Sequence, residues 1–232
     1  PARQAMHEQI LNEALAEAHG VPTDRQAIIM GGLPGAGKSS LLRDQGIASD
    51  LGIKVDAHGN PTSHATVNPD DFKVALVRAG GVPRIPGLTP MESAQVVHEE
   101  SSYLAKVYKA ALVARGTNII DDGTMSSQAG VTSRVTQFSA AGYSTKAVFV
   151  SIDVPTARAR AQARYQSGME SYYAGTNPIG GRSISSSSIN AGVARSSNQD
   201  VFNQIRHLPG VTSSAIYDNM GTGGPVRIPE GG

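Results

Sequence analysis

Gly32-Leu33-Pro34-Gly35-Ala36-Gly37-Lys38-Ser39 fits the phosphate-binding loop pattern G-x-x-x-x-G-K-[ST] at every fixed position. The chemistry needs those residue types. Glycines let the backbone curl so that consecutive N–H groups point at phosphate oxygens. Lys38 brings a mobile cation to the outer phosphates, and the Ser39 hydroxyl can ligate a Mg2+ ion bridging the last two. A helix starting here adds the positive end of its dipole. The residues expected to contact a nucleoside triphosphate are Gly32, Leu33, Pro34, Gly35, Ala36, Gly37, Lys38, Ser39 and Ser40, with Ser39 on the metal.

The flanks support the match. Gln26-Ala27-Ile28-Ile29-Met30-Gly31 is a short apolar run that reads as a buried parallel strand. Ser39-Ser40-Leu41-Leu42 opens a helix, expected to run from Lys38 to about Gln45 with Gly46 as its cap. Strand, loop and helix in this order are the context the pattern requires, and they predict an α/β fold.

The chain has 232 residues, enough for one α/β domain with a core and insertions. A net charge of +1 argues against a broad basic face, so no nucleic-acid partner is expected. Aromatics are 5% and tryptophan is absent, which weakens any reading built on stacked bases. Cysteine is absent, which excludes disulfides and thiolate metal sites. No apolar run reaches the length of about eighteen residues that a membrane span needs, and the charged N-terminus lacks a signal-peptide core. A soluble cytoplasmic protein is the expectation.

Two further stretches bear on chemistry. Ala65-Thr66-Val67-Asn68-Pro69-Asp70-Asp71-Phe72-Lys73 reads as a short β-branched strand delivering two carboxylates to the start of a helix over 71–79. In open α/β sheets ligands bind at the C-terminal strand edges, so an acid here would share the crevice of the phosphate loop. A kinase needs such a carboxylate to orient the attacking hydroxyl and accept its proton. The plain alternative is helix N-capping by Asp70. Thr117-Asn118-Ile119-Ile120-Asp121-Asp122-Gly123-Thr124 is a second buried strand ending in two acids, in the manner of a Walker B strand. One acid could hold Mg2+ through water and the other could bind substrate hydroxyls, with Gly123 and Thr124 offering donors before a helix over 126–141. Here the alternative is again capping.

The remaining elements follow from pattern. Residues 1–20 have helical spacing within an N-terminal segment reaching residue 25; they pack on the sheet or dock a partner. Residues 50–64 read as a short hairpin or surface loop with His58 and His64 in solvent. A long helix is expected from Met91 to Ala114, stopped by Arg115-Gly116. Its His98, Glu99 and Glu100 read as a solvated face. A strand covers 144–151, and Pro155 starts a helix carrying Arg158, Arg160 and Arg164. Residues 166–188 mix glycines, tyrosines, Arg182 and the run Ser185-Ser186-Ser187-Ser188, as a lid would. A helix over 189–207, a strand over 214–218 and a flexible Gly/Pro tail over 221–232 complete the chain, with a single domain over 1–220.

In this order the stretches resemble the zeta-toxin kinases, the toxin halves of bacterial toxin–antitoxin pairs. The resemblance runs from about Ala27 to Tyr217 and rests on the loop, then Asn-Pro-Asp-Asp-Phe-Lys, Asp-Asp-Gly-Thr, Ala163-Arg164-Tyr165 and an isolated Arg182. It implies that Lys38 and Ser39 hold ATP phosphates and Mg2+, that Asp70 is the catalytic base, and that Asp122 binds the sugar acceptor. It also implies that Arg164 and Arg182 clamp the transferring phosphate. Family members phosphorylate UDP-N-acetylglucosamine on the amino sugar and are held off by a small helical antitoxin. Here aspartate stands at 122 where the family often has glutamate, the 50–64 loop is longer than a minimal member needs, and the serine-rich lid is unusual.

The expectation is a single P-loop α/β domain with a mainly parallel sheet of about five strands and helices on both faces. Catalytic roles fall to Asp70, Lys38, Arg164 and Arg182, and substrate contacts to Asp121, Asp122, Gly123 and Thr124. ATP or GTP with Mg2+ would donate a phosphoryl group to a nucleotide-sugar hydroxyl. The alternatives are a small-molecule kinase for an antibiotic or nucleoside, and a nucleotide-dependent NTPase or binding module without an acceptor.

Overall fold

The computed structural model describes residues 2–182 and 198–229. A six-stranded sheet forms its centre: β1 (Gln26–Gly31), β2 (Ala65–Val67), β3 (Ile119–Asp122), β4 (Ser144–Ser151), β5 (Val211–Asp218) and β6 (Val226–Ile228). The spatial order is β2-β3-β1-β4-β5-β6. The first five strands run parallel, and β6 returns antiparallel along β5, with Tyr217 opposite Arg227. The expected count was about five. The sixth strand lies in the segment expected as a flexible tail, where Val226–Ile228 finds the open backbone edge of β5.

Helices cover both faces, and the reason is alternation. Ala27, Ile29, Ile119, Ala147 and Phe149 point to one face, where they pack against the long helices. Those helices are α1 (Ala2–Glu17), α4 (Pro69–Arg78), α6 (His98–Arg115), α7 (Gln128–Ala140) and α9 (Asn198–Ile205). Ile28, Met30, Ile120, Val148 and Val150 point to the other face and meet Leu41 and Leu42 of α2 (Lys38–Arg43) and Ala48 of α3 (Gln45–Asp50). The remaining α-helices among the described residues are α5 (Pro90–Ser93) and α8 (Val154–Tyr173). Ile29 and Met30 are wholly buried in the central strand, as its unbroken apolar run predicts.

Several helix boundaries differ from the pattern reading. The helix after the phosphate loop stops at Arg43, because Asp44 leaves helical geometry and its carboxylate accepts from Ile47 N at 3.0 Å to cap α3. Gly46 therefore lies inside α3 and caps nothing. The expected long helix breaks into α5, a 3-10 turn over Ala94–Val97, and α6. Met91, Ala94 and Val97 are all buried, and a three-residue repeat sets them on one side. Gly116, at φ 72°, ends α6 as expected.

His64 is a further correction. It is 5% exposed rather than solvated, while His58 stays at the surface. Ser63 Oγ accepts from Lys54 N at 2.8 Å and shares a hydrogen bond with His64 Nδ1 at 2.9 Å. Burial, then Lys146, push the His64 pKa down to about 4, with Asp24 opposing. The 50–64 segment does form a tight turn, with Asp56 Oδ1 accepting from His58 N and Asn60 N.

Of residues 166–188, read as a lid, 166–173 complete α8 and 174–182 fold back against it. Residues 183–188, and the part of the expected 189–207 helix before Asn198, lie outside the described residues.

Candidate active site

The C-terminal ends of β1, β2 and β3 converge on one cleft of about 1200 Å3. Register fixes their relative heights. Met30, the second-last residue of β1, lies opposite Asp122 on β3, and Val67 on β2 lies opposite Asp121. Lys38, Ser39, Asp70, Asp121, Asp122, Gly123, Thr124, Arg164 and Arg182 all line the cleft. Among the described residues nine Lys and Arg side chains line it against three aspartates, in a chain whose net charge is +1. The positive charge of this protein is concentrated there, which suits a polyanionic ligand.

The phosphate loop needs its glycines for two separate reasons. Gly35 and Gly37 sit at φ +87° and +88°. A Cβ on Gly37 would also lie 2.3 Å from Asn219 Nδ2. Asn219 follows β5, is buried, and donates from Nδ2 to Ala36 O at 2.7 Å. It therefore ties the loop to the end of the fifth strand. Sequence reading did not single it out, because a lone Asn after a strand carries no pattern. Lys38 Nζ donates to Gly32 O at 3.1 Å and stands 3.8 Å from Asp122 Oδ1.

The twin acids of β3 part company, as adjacent strand residues must. Asp121 turns to the long-helix face, 4% exposed, where Lys109 of α6 lies at 3.1 Å and Arg134 of α7 at 3.5 Å. Both cations also line the cleft, so Asp121 sets their positions. Asp122 turns to the loop side. Its Oδ2 accepts from Asn68 Nδ2 at 2.9 Å, and its Oδ1 is buried without a hydrogen-bond partner. Burial pushes the Asp122 carboxyl up from its ordinary value, and Lys38 pulls it back. Neither acid caps α7, because Ser127 does so through Gly130 N at 3.2 Å. An orphaned carboxylate oxygen and an exposed Ser39 hydroxyl lining the same basic cleft fit a divalent cation held with a nucleotide. Among the described residues no cluster of three His, Asp or Glu forms a protein-only metal cage.

Asp70 is likewise not a helix cap. Asn68 caps α4, its side chain accepting from Asp70 N at 2.9 Å, and Pro69 opens the first turn. The Asp70 carboxylate is thereby left facing the cleft, 40% exposed, with Lys73 Nζ 3.5 Å from Oδ1 and Arg182 Nη1 3.3 Å from Oδ2. Its neighbour Asp71 is exposed and does not line the cleft.

Arg182 is placed by close backbone packing. A Cβ on Gly168 would lie 2.6 Å from Gly181 Cα, and one on Gly181 would lie 2.3 Å from Tyr165 O. Asn177 Nδ2 donates to Gly180 O, and Met91 N donates to Ile179 O. The glycines that suggested looseness allow the 174–182 segment to lie flat on α8. Arg164 lines the cleft nearby. Desolvation, then Arg182, pull its guanidinium below the ordinary value, with Asp70 opposing. Arg182 thus pairs with Asp70 directly, and the charges of both act on Arg164. Arg160, on the same helix, donates to Gly221 O at 3.3 Å and holds the segment between β5 and β6 against the cleft.

The zeta toxin family profile matches residues 13–221, nine-tenths of the chain. This chain belongs to the zeta toxin family. The structural likenesses agree with that family's fold. A chain of the AvrRxo1-ORF1:AvrRxo1-ORF2 crystal structure with ATP superposes with a TM-score of 0.70 at 18% identity, over 98% of this chain and 67% of that one. A structure of the PezAT chromosomal toxin–antitoxin system of the human pathogen Streptococcus pneumoniae superposes at 0.66 with 15% identity, over 96% of this chain and 79% of its own. At these identities the likeness is one of fold: a mainly parallel P-loop sheet with helices on both faces. No curated protein matches this zeta toxin family member by sequence. Among the described residues no helix is long and apolar enough to cross a membrane.

Proposed function

We propose that this zeta toxin family member is a kinase that moves the γ-phosphate of ATP to a hydroxyl of a nucleotide-sugar such as UDP-N-acetylglucosamine. One observation carries the reading: a carboxylate released from capping, Asp70, faces the same cleft as the phosphate loop and is paired with Arg182. A switch-type NTPase would orient water there and has no need of a proton acceptor in that place.

Phosphoryl transfer makes few chemical demands beyond position and charge. The loop N–H groups and Lys38 hold the donor phosphates. Asp70 orients the acceptor hydroxyl and takes its proton. Arg164 and Arg182 stabilise the charge spread over the transferring oxygens, worth on the order of 3 kcal/mol for each well-placed donor. Mg2+ would be held by Ser39 with Asp122 beside it; when bound it neutralises charge on the phosphate oxygens. Lys106, Lys109 and Arg134, which line the same cleft, favour an acceptor that itself carries phosphate. The volume of about 1200 Å3 exceeds that of a usual single-ligand pocket, roughly 300–1,000 Å3. A protein antitoxin would be the partner that goes with this reading.

The test is a labelled-phosphate assay with ATP, Mg2+ and UDP-N-acetylglucosamine against a panel of sugars, nucleosides and antibiotics. Label should appear on UDP-N-acetylglucosamine, vanish with chelation of Mg2+, and vanish in Asp70→Asn while ATP still binds. Label on a different acceptor would keep the kinase and reject the substrate. Label found only as free phosphate would reject the kinase.

A further inference from the structure

Lys73 is an ammonium in an expensive place. It sits on α4 between Phe72 and the buried Leu76, and its side chain is 7% exposed. Among the described residues its one ion-pair partner is Asp70, one helical turn earlier, at 3.5 Å. Its end reaches the cleft. Taking an ammonium out of water costs more than one long ion pair returns, so a hydrophobic isostere would serve folding as well or better. Stability alone does not account for a lysine here.

What the contact does is geometric. Asp70 is 40% exposed, and unrestrained it would turn freely about its two side-chain bonds. Lys73 holds Oδ1 and Arg182 approaches Oδ2. Lys73 comes from the rigid first turns of the same helix, whereas Arg182 comes from a segment that reaches the cleft from α8. The guanidinium is the partner that a phosphoryl group can draw away, and the ammonium is the one that stays.

We propose that Lys73 is the positioning residue for the base. It locks Oδ1 of Asp70 so that Oδ2 alone is presented to the acceptor hydroxyl. This rests on the kinase reading and adds to it a residue that works through Asp70 and touches neither substrate. A carboxylate aimed in advance gives the hydroxyl one line of approach to the phosphorus, and a misplacement of about 1 Å there can cost on the order of 100-fold in rate.

The experiment compares Lys73→Met, Lys73→Gln, Asp70→Asn and the Asp70→Asn/Lys73→Met pair for kcat, ATP Kd and melting temperature. Lys73→Met should melt at or above the wild-type temperature, bind ATP within about twofold of wild type, and lose about 10- to 100-fold in kcat. Lys73→Gln, whose amide can still donate to Oδ1, should lose less. In the Asp70→Asn background Lys73→Met should cost nothing further, because its partner is already gone. The proposal is overturned by Lys73→Met turning over at the wild-type rate, or by Lys73→Gln losing as much as Lys73→Met. It is also overturned by ATP affinity falling in step with kcat, or by a further loss in the double variant; each would place Lys73 on the phosphates. Should Lys73→Met fail to fold, the assignment of Lys73 to function rather than stability falls with it. Full transfer by Asp70→Asn alone would remove the kinase reading itself, a result independent of what Lys73→Met does.

Discussion

At the scale of single residues, the site turns on which side chains are spared from structural duty. Asn68 caps α4 and Ser127 caps α7, and this leaves Asp70 and Asp122 for the cleft. Gly37 shows the opposite case, a residue with no freedom left. Gly37→Ala should weaken ATP binding about tenfold or more, since a left-handed non-glycine residue costs roughly 1–2 kcal/mol before the clash with Asn219 is counted. Calorimetric titration would show it. His64 gives a pH signature. Its folded pKa of about 4 lies below its ordinary 6.5, so between those values the unfolded chain binds the proton and the folded chain does not. Its contribution is therefore whole above pH 6.5 and is lost as pH falls towards 4, by roughly 2–4 kcal/mol in all. Melting temperatures of His64→Gln measured over that range should fall less steeply than those of the wild type.

At the scale of elements, the arginines depend on how α8 and its following segment pack. The close approach of Gly168 to Gly181 brings Arg182 over Asp70. A valine at 168 would push that segment outward, and Arg182 with it. Gly168→Val should lower the transfer rate about tenfold while ATP affinity changes much less, because the phosphate loop lies on other elements. Steady-state kinetics with both substrates varied would separate the two effects, and an equal loss in each would contradict this account. The 3-10 turn before α6 is an element-scale fact too. Apolar residues at 91, 94 and 97 satisfy a three-residue repeat as readily as a helical one, so spacing alone does not tell them apart.

For the whole molecule, the decisive quantity is where a nearly balanced charge is placed. Among the described residues nine cations and three aspartates meet at one end of the sheet, where the strand order steps from β1 to neighbours on either side. ATP affinity should therefore fall several-fold as salt rises from about 0.05 M to about 0.5 M, as the screening length shrinks from above 10 Å to below 8 Å. The melting temperature should change little over the same range, since the core is apolar on both faces of the sheet. A salt-insensitive affinity would mean that the basic wall does not face the ligand.

The residue order alone determined the α/β class, the phosphate loop with its strand and helix, and the three acid-bearing or arginine-bearing stretches, because each is a local pattern of glycines, apolar periodicity and turn chemistry. The zeta toxin membership was legible from the same stretches in their order. Only the tertiary structure decided which acid faces which cation, since adjacent residues of β3 point to opposite faces and their partners lie on α2, α6 and α7. It alone decided that Asn219 braces the loop, that Lys73 sits on Asp70 and that His64 is buried. The sixth strand belongs with these. Val226–Ile228 has no strand signal of its own strength, and it becomes one because β5 leaves a backbone edge open beside it. Contacts between residues far apart in the chain leave no period in the sequence, and burial, which sets the charge and aim of a side chain, is a property of the packed whole.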